Sequence, residues 1–330
     1  MRAAVVKEFG PIASHLMGEL PDPTPGPGEV VVTVKAVAVN LVDTLVVTGK
    51  YQFLPERPFA PGKLPAGTIS ALGPDVTGFQ IGDRVLTLAE QGGYAEKAKA
   101  SAHQCFKLPA SMSFVDAAAM ALVYDTSWFA LRERARLRPG ETVLVLGSTG
   151  GVGLAAVQLA KAIGATVLAG VSNLDKAQLA RDAGADAIVD LGQDNLRDSL
   201  REQVYAHNNG KGVDVVIDPV GGDAFDAALR ALAWRGRLVV IGFAAGRIPT
   251  VKANYLLLKN IEVSGLQVSD YRKRMPDMMA ECVREIFAWY EAGKLVPSPT
   301  IVYPFEDFAK ALQDILDRRV RGRIVLTPNL

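Results

Sequence analysis

A chain of 330 residues, 49% of them hydrophobic, is long enough for about two domains with sizeable cores. Its 36 Lys and Arg against 35 Asp and Glu exclude a basic footprint for nucleic acid or an anionic membrane, and no apolar run approaches the ~20 residues of a membrane span. Two cysteines, Cys105 and Cys282, exclude a disulfide framework and an all-cysteine zinc site; with no signal-peptide core at the N-terminus, a reduced, cytoplasmic setting is expected.

The first ~120 residues read mostly as strands. Ala3 to Val6 opens the series, and "EVVVTVKAVAVN" follows the Pro/Gly turn "PDPTPGPGE". "GTISALG", "DRVLTL" and "GGYAEKAKA" are each bounded by Gly, Pro or Asp. Such short strands predict a barrel-like β unit. "SFVDAAAMALVYDTSWFALRERARL" then reads as a helix, with Ser113 as N-cap before Asp116.

From Glu141 the rhythm changes to strict β/α alternation. The strands are "TVLVLG", "TVLAGVS", "AIVDLG", "VDVVIDPV" and "GRLVVIG", with "IEVSGLQ" as a sixth. The helices between them include Gly151 to Ile163, "LDKAQLARDAG", "DNLRDSLREQVYAH" and "DAFDAALRALAW". This order predicts a parallel sheet covered on both faces by helices. In the tail, "PDMMAECVREIFAWYEAG" and "FEDFAKALQDILDRR" are amphipathic helices, while "IVYP" and "GRIVLTP" are strands without a βαβ partner. The tail is therefore expected to fold back onto the N-terminal β unit, which would be split around an inserted α/β domain.

The stretch "LVLGSTGGVGLAAVQLAKAIG" carries the chemistry. Glycines between a strand and a helix permit a tight turn, close approach of a pyrophosphate to bare backbone, and close helix packing. The phosphates then sit on free N–H groups at the positive end of the helix dipole. Here the register is Ser148-x-Gly150-x-x-Gly153, so Ser148, Thr149, Gly150, Gly151, Val152 and Gly153 form the expected cradle. No Gly-Lys-Ser/Thr follows, which argues against a P-loop. The second α/β strand ends in "AGVSN", so Ser172 and Asn173 replace the acid that would bind NAD ribose, and Lys176 follows. A hydroxyl and a cation favour NADPH over NADH, although Asp175 stands between them.

These features together resemble the medium-chain dehydrogenase/reductase superfamily, and within it the zinc-free quinone oxidoreductase, zeta-crystallin-like group. The resemblance rests on "VAVNLVDTLVVTGKY", "PFAPGKLPAGTISALGPDVTGFQIGDRVL", "GSTGGVGLAAVQLAKAIGA" and "GRIVLTP", and covers essentially the whole chain. It implies a doubly wound Rossmann domain, residues 124–267, inserted in a GroES-like β-barrel domain formed by residues 1–123 and 268–330. It also implies a cleft between them and a homodimer. Alcohol dehydrogenases of the superfamily bind zinc through Cys, His and Cys. Here Asn40 takes the place of the first Cys, "PGKLPAG" lacks the His, and no metal site is expected.

What remains is hydride transfer from the nicotinamide to a small quinone or enone. The resemblance implies that Asn40 and Tyr51 hold the acceptor oxygen, with Asp43 either orienting Asn40 or capping a turn. Thr126, the segment Gly242, Phe243 and Ala244, and Arg323 are the other residues implied to border the cofactor. Leu64 replaces an acid common in relatives, and Leu191 replaces a tyrosine that some NADPH-using relatives carry. Arg57 and Lys63, read as exposed charges, would matter only for a phosphorylated thioester. Two competing readings stay open: an enoyl- or acryloyl-thioester reductase, and a nucleotide-binding protein without turnover.

Overall fold

The computed structural model describes residues 1–328. These form two compact units, one from Met1–Leu122, Arg272–Val283 and the chain from Pro297, the other from Val123–Tyr271 and Arg284–Val296.

The first unit is built on strands β1 (Arg2–Val5), β2 (Leu16–Glu19), β3 (Glu29–Val39), β4 (Ala66–Leu72), β5 (Arg84–Thr87), β6 (Lys97–Ser101) and β7 (Cys105–Lys107), with helices α1 (Leu41–Val47) and α2 (Phe114–Met120). The α/β unit follows: α3 (Val123–Trp128), β8 (Thr142–Val145), α4 (Gly151–Ile163), β9 (Thr166–Val171), α5 (Ala177–Asp182), β10 (Ala187–Asp190), α6 (Leu196–His207), β11 (Val213–Asp218), α7 (Gly222–Ala231), β12 (Leu232–Val240), α8 (Ala253–Lys259) and β13 (Glu262–Gly265). The chain continues through α9 (Val268–Arg274) and α10 (Pro276–Glu291) to β14 (Thr300–Pro304), α11 (Phe308–Leu316) and β15 (Arg323–Thr327), the last three in the first unit.

The tail does fold back as expected. β15 pairs antiparallel with β3 and parallel with β14, giving a seven-stranded sheet ordered β14-β15-β3-β4-β5-β7, with β6 also on β3. Its core mixes both ends of the chain: Val34, Val37, Phe59 and Tyr94 pack with Phe308, Leu312, Ile324 and Leu326. Each such fully buried aliphatic or Phe side chain is worth about 1.5–3 kcal/mol. This is the GroES-like half.

In the second unit all strands are parallel, ordered β10-β9-β8-β11-β12-β13. That is the doubly wound Rossmann order, with its switch point beside β8. Val143, Leu144, Val167, Leu168, Val215 and Val216 are buried, as a strand covered on both faces requires.

Two elements differ from the sequence reading. The helix expected from Ser113 is broken: α2 stops at Met120, Leu122 takes φ +68°, and α3 starts afresh where the second unit begins. Ser113 does cap α2, accepting from the Asp116 N–H at 3.0 Å. α7 ends at Ala231 rather than Trp234; four residues, Ala233 to Gly236, bulge from β12 before it rejoins β11. "LVDTLVV", despite its β-branched residues, forms α1. No single helix among the described residues is long and apolar enough to cross a membrane.

Candidate active site

The α/β unit carries a phosphate-sized cradle. Gly147, two residues after β8, takes a left-handed conformation, φ +63°, which a side chain would strain. Gly150 caps α4, and the first-turn N–H groups of Gly151, Val152 and Gly153 have no intrahelical acceptor. At Gly153 a Cβ would lie 2.2 Å from the Gly147 carbonyl oxygen and 2.7 Å from the Ser148 Cα, so the helix meets the turn backbone to backbone. At Gly150, by contrast, a Cβ would meet only the Gly147 oxygen, at 3.4 Å, and the residue is exposed. Bare, exposed backbone at the positive end of a 13-residue helix fits a dinucleotide diphosphate. Thr149 and Val152 are half-buried beside it. Ser148 is turned inward: fully buried, it donates its hydroxyl to the Val145 carbonyl at 2.6 Å. It shapes the turn through its side chain rather than offering that hydroxyl to a ligand.

The other expected cofactor residues lie on the same unit. Ser172 is exposed after β9, and the Asn173 side chain accepts from the Asp175 N–H at 2.9 Å. That bond caps a short turn, Leu174–Lys176, with Lys176 half-buried at its end. Thr126 is buried in α3. Its neighbour Ser127 donates to the Val152 carbonyl at 2.9 Å and so ties α3 to the head of α4. Gly242, Phe243 and Ala244 follow β12 at the carboxyl edge of the sheet, with Phe243 41% exposed. The sequence reading missed the segment that joins these loops. Ala244 N–H donates to the Pro219 carbonyl, while a Cβ on Gly147 would strike Val220 at 2.8 Å. The segment is held by Asp218, whose fully buried carboxylate accepts the Val220 and Gly221 N–H groups. Burial raises its pKa against those two bonds. An aspartate ending a buried strand before "PVGG" was the available signal.

The first unit holds a second polar cluster. Asn40 is the N-cap of α1 and is 4% exposed. The Asp43 carboxylate reaches back to accept the Asn40 backbone N–H at 2.8 Å, as in a capping box. It also accepts the Tyr94 hydroxyl at 2.9 Å. Burial pushes Asp43 up to about 6, against the Asn40 N–H, the Lys63 charge and the Tyr94 hydroxyl. Arg323, at the start of β15, is 6% exposed and donates to the Asn40 Oδ1 at 2.7 Å and to the Ala119 carbonyl at 3.1 Å.

Tyr51 is half-buried, with the Lys63 ammonium 5.5 Å from its ring centre. Lys63 overturns the expectation of an exposed charge: it is 6% exposed and pairs with Glu90. Glu90 also pairs with the buried Arg272 at 2.9 Å. Burial alone would raise Glu90, but Arg272 and Lys63 hold it at about 2. Leu64 is buried, with φ +56°. Tyr94, Glu90 and Arg272 were not singled out from the sequence, since 182 residues separate the last two. The N-x-x-D pattern of Asn40 and Asp43 was the one local signal for α1.

Residues 26–110 match the alcohol dehydrogenase GroES-like domain family, and residues 151–284 match the zinc-binding dehydrogenase family. A quinone oxidoreductase-like protein 2 homolog of Nematostella vectensis is 36% identical over 303 residues, covering 91% of this chain and 82% of the relative. The chain belongs to the zinc-free quinone oxidoreductase group of the medium-chain dehydrogenase/reductase superfamily.

Its fold is similar to that of Escherichia coli quinone oxidoreductase complexed with NADPH, with TM-score 0.90, 29% identity, and coverage of 99% of this chain and 100% of that one. CurK enoyl reductase is similar too, with TM-score 0.89, 26% identity and 99% coverage of each chain. One of the matching families is described by its zinc. Among the described residues here, no group of three or more His, Cys, Asp or Glu is placed to hold a metal ion. Where a ligand would stand, the Asn40 amide faces Arg323 and Lys63 faces Glu90, so this donor set does not fit zinc.

Proposed function

We propose that this chain is an NADPH-dependent reductase that delivers hydride to a quinone or an α,β-unsaturated carbonyl without a metal. The observation that carries the reading is the bare cradle at Gly150–Gly153, followed across β9 by Ser172 and Lys176 in place of an acid. The diphosphate would rest on the N–H groups of Gly151, Val152 and Gly153. Ser172 and Lys176 would receive the 2′-phosphate, and Gly242 to Ala244 would border the nicotinamide. The solved relative that holds NADPH supports this choice of cofactor.

NADPH held there would supply a hydride to the electrophilic carbon, and negative charge would develop on the acceptor oxygen. Asn40 Nδ2 and the Tyr51 hydroxyl donate hydrogen bonds to that oxygen as negative charge develops on it. The proton that completes the reduction comes from Tyr51 or from solvent. Asp43 acts as a brace for Asn40 rather than as an acid, because its bonds from the Asn40 N–H and the Tyr94 hydroxyl hold structure in place. The test follows NADPH and NADH oxidation with a quinone, a simple enone and a short enoyl-CoA. Turnover of the first two with NADPH supports the reading. The enoyl reductase neighbour favours one alternative, an enoyl-thioester reductase, and a strong preference for the CoA ester would establish it. Tight NADPH binding with no turnover would mean a non-catalytic binder. We further propose a homodimer and a cytoplasmic location, to be tested by sedimentation and fractionation.

A further inference from the structure

Asn40 has two chemically different ends, and only one can stabilise an oxyanion. Its Nδ2 donates, while its Oδ1 would repel the developing charge. An unrestrained amide exchanges the two by rotation about χ2, whose preference is broad and roughly two-fold. The structure contains a device that chooses.

The register of β15 on β3 pairs Ile324 with Val39, which brings Arg323 alongside Asn40 although 283 residues separate them. The guanidinium is fixed at two points, Nη2 on Asn40 Oδ1 at 2.7 Å and Nε on the Ala119 carbonyl at 3.1 Å. Arginine has donors only, so the amide atom facing it must be the oxygen. The Nδ2 is thereby turned away from Arg323. It makes a long contact to the Ala38 carbonyl at 3.3 Å and lies close enough to the Asp43 carboxylate to lower its pKa. Asp43 completes the arrangement. By taking the Asn40 backbone N–H it pins the N-cap.

We infer that Arg323 is a positioning residue that locks the Asn40 amide with Nδ2 presented to the acceptor oxygen. This rests on the reading of Asn40 as the acceptor's hydrogen-bond donor. It assigns Arg323 a role through Asn40, in place of direct contact with the cofactor.

The test is a double-mutant cycle on the full chain, with Asn40→Ala, Arg323→Leu and the pair, read as kcat with a quinone and as NADPH affinity by fluorescence. Losing the Asn40 donor should lower kcat by about a hundredfold. Arg323→Leu should lower kcat by about tenfold with NADPH affinity unchanged, because the amide then samples both orientations. In the Asn40→Ala background the Arg323 substitution should cost nothing more. Arg323→Lys, which keeps a donor for Oδ1, should recover part of the loss. If Arg323→Leu does not fold, Arg323→Gln carries the same cycle.

An Arg323 loss that persists in full without Asn40, or that appears as weakened NADPH binding, overturns the inference alone. Full turnover by Asn40→Ala overturns the functional reading beneath it, and the inference with it.

Discussion

Replacing Asp43 with Asn leaves an acceptor for the Asn40 N–H and the Tyr94 hydroxyl while removing the charge. In the folded protein burial raises this carboxyl from 3.8 to about 6, against the bond from Asn40 and the Lys63 charge. That difference corresponds to about 3 kcal/mol by which folding disfavours the ionised form at neutral pH. The folded pKa lies above the unfolded one. The contribution is therefore fully present below about pH 3.8 and is lost as the pH rises through about 6. Asparagine has no such dependence. The stability of the natural protein relative to Asp43→Asn should fall by about 2 kcal/mol between pH 4.5 and 7.5. Urea unfolding of both proteins across that range measures the difference. Glu90, whose pKa is depressed to about 2, works with the opposite sign, losing stability as the pH falls from about 4.5, and cancels because both proteins contain it. A difference that stays flat across the window would show that Asp43 is not the buried, reluctantly ionised group described here.

Gly153→Ala places a Cβ 2.2 Å from the Gly147 carbonyl, where backbone stands on both sides, and should weaken NADPH binding by at least about tenfold in a calorimetric titration. Unchanged affinity would mean that the diphosphate lies elsewhere. Ser172→Asp brings an acid to the proposed 2′-phosphate position and should weaken NADPH by about tenfold or more while sparing NADH; equal effects on both cofactors would reject the assignment. Glu90→Gln leaves Lys63 and Arg272 buried without their shared carboxylate and should cost about 3–5 kcal/mol in urea unfolding. A loss below about 1 kcal/mol would show that water reaches these cations freely.

The α/β half was legible in the sequence because its signals are local. Each strand there is a short Val/Leu/Ile run, each helix has its own periodicity, and Gly150 and Gly153 stand where a strand hands over to a helix. Parallel strands joined by helices admit few orders, so pattern and topology are nearly the same statement. The return of the tail to the first unit was also readable, since "IVYP" and "GRIVLTP" had no neighbours of their own. Local preference failed where tertiary demands overrode it. The β-branched run 41–47 coils because Asp43 caps it and Val46 and Val47 enter the core. Leu122 breaks a helix that its sequence would continue, where the chain passes from one unit to the other.

By itself the sequence determined the glycine cradle, the absence of an acid after the second Rossmann strand, and a candidate donor at Asn40. The folded chain alone decided what those groups face. Lys63 reads as a surface charge until Glu90 and Tyr51 are beside it, and Arg323 reads as a strand-end cation until β15 lies on β3. The reason is that hydrogen bonds and ion pairs act over a few ångströms, while their partners here stand 27 to 283 residues apart along the chain.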